Sequence, residues 1–146
     1  MRKILFCLYC ATVIFNCKGK GLHVVPGFVK VPSAGVNLTG GFLEIHNNTD
    51  IDQILISANC EKFNVTEIHE MILEENMMKM RKMTSLKIKA GETVKLQPGG
   101  YHLMLINNTA EIKSGDTISC ALNFNENVKI NIDLPVKNLP GHHAEH

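Results

Sequence analysis

Short stretches in which apolar and polar residues alternate fill the middle of this chain, with Gly, Pro, Asn and Asp punctuating them. Gly41 to His46 places Leu43 and Ile45 on one face and Phe42, Glu44 and His46 on the other, the period of a half-buried strand. Asn47-Asn48-Thr49-Asp50 reads as a turn, and Ile51 to Ala58 and Phe63 to His69 read as strands rich in Ile and Val. Leu86 to Lys89 and Thr93 to Leu96 flank the turn Ala90-Gly91-Glu92, and Gln97-Pro98-Gly99-Gly100 turns the chain into a strand over Tyr101 to Ile106. Thr117 to Phe124 and Val128 to Leu134 predict a hairpin across Asn125-Glu126-Asn127. Glu70 to Met83 comes nearest to a helical period without sustaining it. Pro26, Gly27, Pro32 and Gly35 punctuate an irregular approach to the first strand, and Pro135 to His146 reads as a polar tail with Pro140-Gly141 ending the fold. Strands at this spacing, with this punctuation, predict an all-β sandwich.

The 146 residues suit one domain, 21–136, preceded by a leader over 1–20 and followed by a His-rich tail over 137–146. Arg2 and Lys3 open the leader, and Ile4 to Phe15 follow as an uncharged apolar run, too short for a membrane span but suited to a signal peptide. One reading of its end is a cut after Gly19 with Cys17 at the −3 position. The other takes Ile14-Phe15-Asn16-Cys17 as a degenerate lipobox, in which Cys17 is lipidated and becomes the membrane anchor. Both readings put the mature domain outside the cytoplasm, in the periplasm of a bacterium.

Charge and aromatic content then remove some partners. Lys plus Arg is 15 and Asp plus Glu is 14, so there is no basic excess for a phosphate backbone, and nucleic acid is excluded as a partner. A cut after Gly19 removes Arg2, Lys3 and Lys18, leaving 12 basic against 14 acidic residues. Of the five cysteines only Cys60 and Cys120 lie beyond the leader, either bridged to each other or buried as two small apolar side chains. Four Asn-x-Thr triplets, at Asn37, Asn47, Asn64 and Asn107, are read as coincidence rather than glycosylation sites.

The chemistry lies in sulfur and imidazole: seven Met and seven His, with six of the Met between Met71 and Met104. On a strand from Tyr101, His102 and Met104 project to one side while Leu103 and Leu105 anchor the other in the core. His69 ends a strand and Met80 follows in the Met-rich segment. Two imidazoles and two thioethers form a neutral, soft donor set, which selects Cu(I) over a hard cation such as magnesium. Thioethers also survive an oxidising compartment that would close thiols into a disulfide.

The spacing His69-x10-Met80-x21-His102-x-Met104 resembles the H-x10-M-x21-H-x-M pattern of the periplasmic copper chaperone family PCuAC. Composition alone would produce it about once in a thousand such chains. Ile68-His69-Glu70-Met71, Gly91 and Leu96-Gln97-Pro98-Gly99-Gly100-Tyr101-His102-Leu103-Met104-Leu105 extend the likeness, which runs loosely from Ser33 to Val136. The resemblance implies a cupredoxin-like Greek-key β-sandwich that binds Cu(I) at one rim. It also implies delivery of copper to an acceptor, the copper A centre of cytochrome c oxidase, beside a thioredoxin-fold Sco-like protein. Cys60 and Cys120 lie outside the family pattern.

Around these four candidates, Met71 is an auxiliary ligand if the strand of His69 continues, because the two would share a face. Met71, Met77, Met78 and Met83 otherwise form a soft rim or a docking surface, and Glu70, Glu74, Glu75, Lys79, Arg81 and Lys82 a solvated face. His142, His143 and His146 make a short tract able to bind Cu(II) without a fold. No Gly-x-Ser-x-Gly, His-Glu-x-x-His or phosphate loop is present, so no enzyme is expected. Cys120 lacks the nearby His and Met of a blue-copper electron carrier. A copper chaperone therefore leads, with a copper-sequestering protein and a metal-free structural sandwich as alternatives.

Overall fold

A computed structural model describes residues 21–139, so the leader with Cys17 and the residues His142, His143 and His146 lie outside the described residues. Ten strands account for most of them: β1 (Leu22–Lys30), β2 (Leu38–Asn47), β3 (Gln53–Cys60), β4 (Phe63–Glu74), β5 (Met77–Met83), β6 (Leu86–Ile88), β7 (Thr93–Leu96), β8 (His102–Asn108), β9 (Thr117–Phe124) and β10 (Lys129–Lys137). They pair in the order β5-β4-β8-β2-β1-β10-β9-β3-β6, with β7 also on β2. All neighbours are antiparallel except β1 and β10, which join the two halves in parallel through Val29↔Val136 and Lys30↔Lys137.

One apolar cluster draws on both halves: Leu43, Ile45, Ile68, Leu103 and Leu105 from one, Leu55, Ile88, Ile118, Leu122 and Leu134 from the other. Each strand delivers these by alternation, and Ile118, Cys120, Leu122 and Phe124 of β9 show it without interruption. Two strands change parity partway, each at a register shift. In β3 the shift lies between Leu55 and Ser57, so that Leu55 and then Ala58 and Cys60 face the core. In β1 it lies between Pro26 and Phe28, and Val24 and then Val29 face inward. Gly27 occupies that bulge because a Cβ there would sit 2.4 Å from the Phe42 carbonyl oxygen. The irregular approach expected around Pro26 and Gly27 is thus a paired strand, since a bulge is where a sheet tolerates proline.

Pairing gives a definite structure to three further stretches. Glu70 to Met83, where no helical period is sustained, is a β-hairpin, in which Glu75 and Asn76 both take positive φ (49° and 62°), the backbone of a two-residue type I′ turn. The polar tail begins later than Pro135, because Pro135 pairs with Thr117 and Val136 is buried in the core. The Asn47-Asn48-Thr49 triplet has a structural role. Asn47 is fully buried, and its side-chain amide donates to the carbonyls of Ile51, Ile88 and Lys89 while its oxygen accepts from the Thr49 backbone and hydroxyl. It ties the end of β2 to the strand that crosses to the other half.

Cys60 and Cys120 stand opposite each other in the β3–β9 register, their Cα atoms 4.1 Å apart, and form a disulfide. The pairing left open by the sequence follows from that register. Closing a 60-residue loop removes entropy from the unfolded chain. Replacing both cysteines by alanine is expected to lower unfolding stability by about 2–4 kcal/mol in urea titration, and a reductant should affect the native protein but not the variant.

Candidate metal centre

The site is assembled on the outer face of β5, β4 and β8. Antiparallel partners share a face, so the register His69↔His102 places the two imidazoles side by side, with ring centres 5.7 Å apart. One row along, Met104 stands between Glu67 on β4 and Gly40 on β2. One row the other way, Met71 stands opposite Met80 on β5. All four predicted donors, His69, Met80, His102 and Met104, therefore project from one face, and Met71 projects with them. Alternation sends Leu103 and Leu105 into the core, as expected from the sequence.

Burial grades across this face. His102 and Met104 are 6% and 8% exposed, the His69 side chain 12%, and Met80, on the edge strand, 48%. Phe42 helps to cover the inner end. Its ring lies over Gly40, where an added Cβ would meet the ring at 2.8 Å, and it packs against Phe28 at 5.0 Å between centres. The alternation of β2 assigned Phe42 to the polar face; it does lie on that face, but buried beside the row of Met104.

The imidazoles are held by their second nitrogens. His102 Nδ1 donates to the Gly100 carbonyl at 3.1 Å, which leaves the lone pair of a neutral ring on Nε2. His69 Nε2 lies 2.8 Å from Glu67 Oε2, and as donor it leaves the lone pair on Nδ1. That Nδ1 is buried with no hydrogen-bond partner. A buried unsatisfied acceptor is costly unless something else occupies its lone pair, and a carboxylate or carbonyl behind an imidazole is the usual support of a metal-ligating histidine. Glu67 also accepts from Lys82 Nζ at 2.5 Å, and this ion pair, with the His69 bond second, holds its carboxyl below the ordinary carboxylate range.

Spacing alone did not reveal Glu67, Lys82 or the Gly100 carbonyl as supports; a strand drawn through Glu67-Ile68-His69 would have put Glu67 and His69 on one face. The hairpin charges expected to be solvated are mostly exposed, and some also pair across the strands, Lys79 with Glu74 at 2.9 Å and Arg81 with Glu70 at 2.5 Å. His46 bonds Thr93 and Glu44, away from the site. Among the described residues no three His, Cys, Asp or Glu side chains gather at metal-binding distance, and the face that carries the two imidazoles also carries the thioethers of Met71, Met80 and Met104. Two imidazoles bound to one ion each stand about 3 Å from it, ring centre to metal, and the 5.7 Å separation is compatible with sharing.

A two-layer β-sandwich whose three-stranded end gathers two His and three Met on one face is the class of protein these features define. Residues 22–136 match the family described as "Putative lipoprotein LpqE-like", and the chain belongs to that family. It is 30% identical over 122 residues to "Putative lipoprotein Lxx21020" of Leifsonia xyli subsp. xyli, covering 83% of this chain and 72% of that protein. The fold is that of PCuAC domains. The copper-bound PCuAC domain from PmoF2 superposes with a TM-score of 0.69 at 18% identity, covering 83% of this chain and 95% of that one. CuI-DR1885 from Deinococcus radiodurans gives 0.63 at 21% identity, covering 82% and 78%. The expected cupredoxin-like sandwich is therefore the observed one.

Because the folded Glu67 carboxyl is held below its ordinary value, its contribution to stability is complete above the ordinary carboxylate range and is lost as pH falls through the lowered folded value. Lys82→Ala is expected to move the Glu67 titration midpoint upward toward that range, read by carboxyl-carbon NMR of the metal-free protein.

Proposed function

We propose that the chain is an exported copper(I) chaperone, holding one Cu(I) as cargo through His69 Nδ1, His102 Nε2, Met104 and Met80 and releasing it to an acceptor protein. The observation that carries the reading is the unpartnered, buried Nδ1 of His69 beside a second imidazole whose free nitrogen is likewise set by its support. The copper named for the PmoF2 domain and for CuI-DR1885 supports the choice of ion. Four neutral donors leave the ion its single positive charge, and neither histidine needs to lose a proton in the tautomers described. No substrate bond is made or broken; the protein is a carrier.

The graded burial suits delivery. Met104 and the imidazoles hold the ion from beneath, while Met80 on the exposed edge strand is the ligand an incoming acceptor can replace first. Ligand-by-ligand exchange avoids free copper. The acceptor implied by the family resemblance is the copper A centre of cytochrome c oxidase, reached directly or through a thioredoxin-fold Sco-like protein. The leader and the name lipoprotein borne by the matched relative support an extracytoplasmic setting, with a lipid anchor at Cys17 and periplasmic work. His142, His143 and His146 would add a weaker Cu(II) site in the tail.

Met80→Ala and Met104→Ala are each expected to weaken Cu(I) binding far more than Met77→Ala or Met78→Ala in anaerobic titration against a competing chelator. Equal effects at all four positions would overturn the ligand assignment. Cu(I) at about a hundredfold excess over its dissociation constant should raise unfolding stability by about 2.7 kcal/mol, read as a shifted melting curve under reducing conditions. Mixing the loaded protein with an apo acceptor domain separates delivery from sequestration: a chaperone loses its copper to the acceptor, a store keeps it.

A further inference from the structure

The imidazole site uses one of the methionines of the β4–β5 hairpin, yet the hairpin presents three on the same face. Met80 lies directly opposite Met71, and Met78, two residues before Met80, lies opposite Leu73. Met77 and Met83 project to the other face, with Lys79 and Arg81. β5 is the edge of the sheet, where proteins ordinarily place charge to prevent pairing with other chains. On its other face β5 follows that habit through Lys79 and Arg81. On the site face, Met78 is 54% exposed and Met80 48%. Val or Ile would serve a strand better than Met, and any aliphatic side chain would serve simple cover equally well. What methionine alone adds is a soft, neutral sulfur on three rotatable bonds.

We infer that Met71, Met78 and Met80 form a second, sulfur-only site for a soft monovalent ion, contiguous with the imidazole site through Met80 and used to load it. Directly opposite strand residues hold their Cβ atoms about 5 Å apart and diagonal ones about 7–8 Å, so three flexible thioethers in this arrangement can converge on one ion. Cu(I) captured by the three sulfurs moves inward by exchange. The bonds to Met78 and Met71 break as those to His69 Nδ1, His102 Nε2 and Met104 form, with Met80 retained throughout, so that three donors give way to the four of the imidazole site. No electron moves, no proton is released, and the ion stays monovalent. The inference rests on the copper(I) reading above but adds residues and a step to it.

The test uses the full chain with methyl-labelled methionine, and Ag(I) as a redox-inert probe alongside Cu(I). Changing His69 and His102 together to alanine removes the imidazoles. In that variant Ag(I) is expected to shift the methyl signals of Met71, Met78 and Met80 together, leaving Met77 and Met83 in place. Adding Met71→Leu and Met78→Leu, which keep volume but remove sulfur, should weaken the remaining Ag(I) binding roughly a hundredfold. In the chain with both histidines, Met78→Leu alone should leave final Cu(I) affinity within about threefold but slow copper uptake from a chelator complex about tenfold. Should the histidine-free variant fail to fold, Ag(I) beyond one equivalent added to the unaltered chain should shift Met71 and Met78, and not Met77. Unaltered protein that binds Cu(I), with no methyl response in the histidine-free variant or with Met77 responding as strongly as Met78, overturns this inference alone. Unaltered protein that takes up no Cu(I) overturns the copper reading itself.

Discussion

The register between β4 and its neighbours β8 and β5 is the constraint on which the centre depends. Side chains alternate along a strand, so a slip of one residue would turn His69 into the core and bring Ile68 out. Ile68 is nearly fully buried and Leu103, its partner on β8, fully so. Hydrophobic burial on the inner face therefore fixes the placement of imidazole and thioether on the outer one. The pairing energy of the core and the geometry of the site are one fact read from two sides.

That outer face has fixed hydrogen-bond supports on its buried side and an exposed edge on the other. Backbone and carboxylate groups set which nitrogen of each ring is free: the Gly100 carbonyl for His102, Glu67 for His69, with Lys82 keeping Glu67 ionised. The Gly100 carbonyl lies in the turn between β7 and β8, which meet β2 end to end, and it also accepts from the Met71 backbone N–H at 3.2 Å. Toward β2 the face is closed by Phe42 over Gly40; toward β5 it opens through Met80 to the hairpin. Along this gradient imidazole nitrogens and thioether sulfurs run from the buried row of His102 and Met104 to the exposed Met80.

The opposite half of the sandwich supplies rigidity. The Cys60–Cys120 bridge pins β3 to β9, and Asn47 links the end of β2 to the carbonyls after β6. Neither lies at the centre. Together they fix the inner layer against which Ile68, Leu103 and Leu105 must pack, and so support the register from behind.

Strand periodicity made the all-β class, the β9–β10 hairpin and the outward pair His102 and Met104 legible in the chain, because alternation is a local property of covalent geometry. The spacing that suggested copper was legible too, as was the condition under which Met71 shares a face with His69, and β4 carries both on one face. Other features were not local. β1 hides behind Pro26 and Gly27, because a bulge matched to Phe42 is visible only with its partner strand present. The hairpin of β4 and β5 lies where the chain shows no sustained period, because its pairing rests on cross-strand contacts rather than local propensity. Whether Cys60 meets Cys120, and which nitrogen of each histidine is left free, depend on which strand lies beside which. The residue types determined what chemistry was available to this protein, and the tertiary register decided which atoms could share it, since alternation sets a side chain's face but only pairing sets its neighbours.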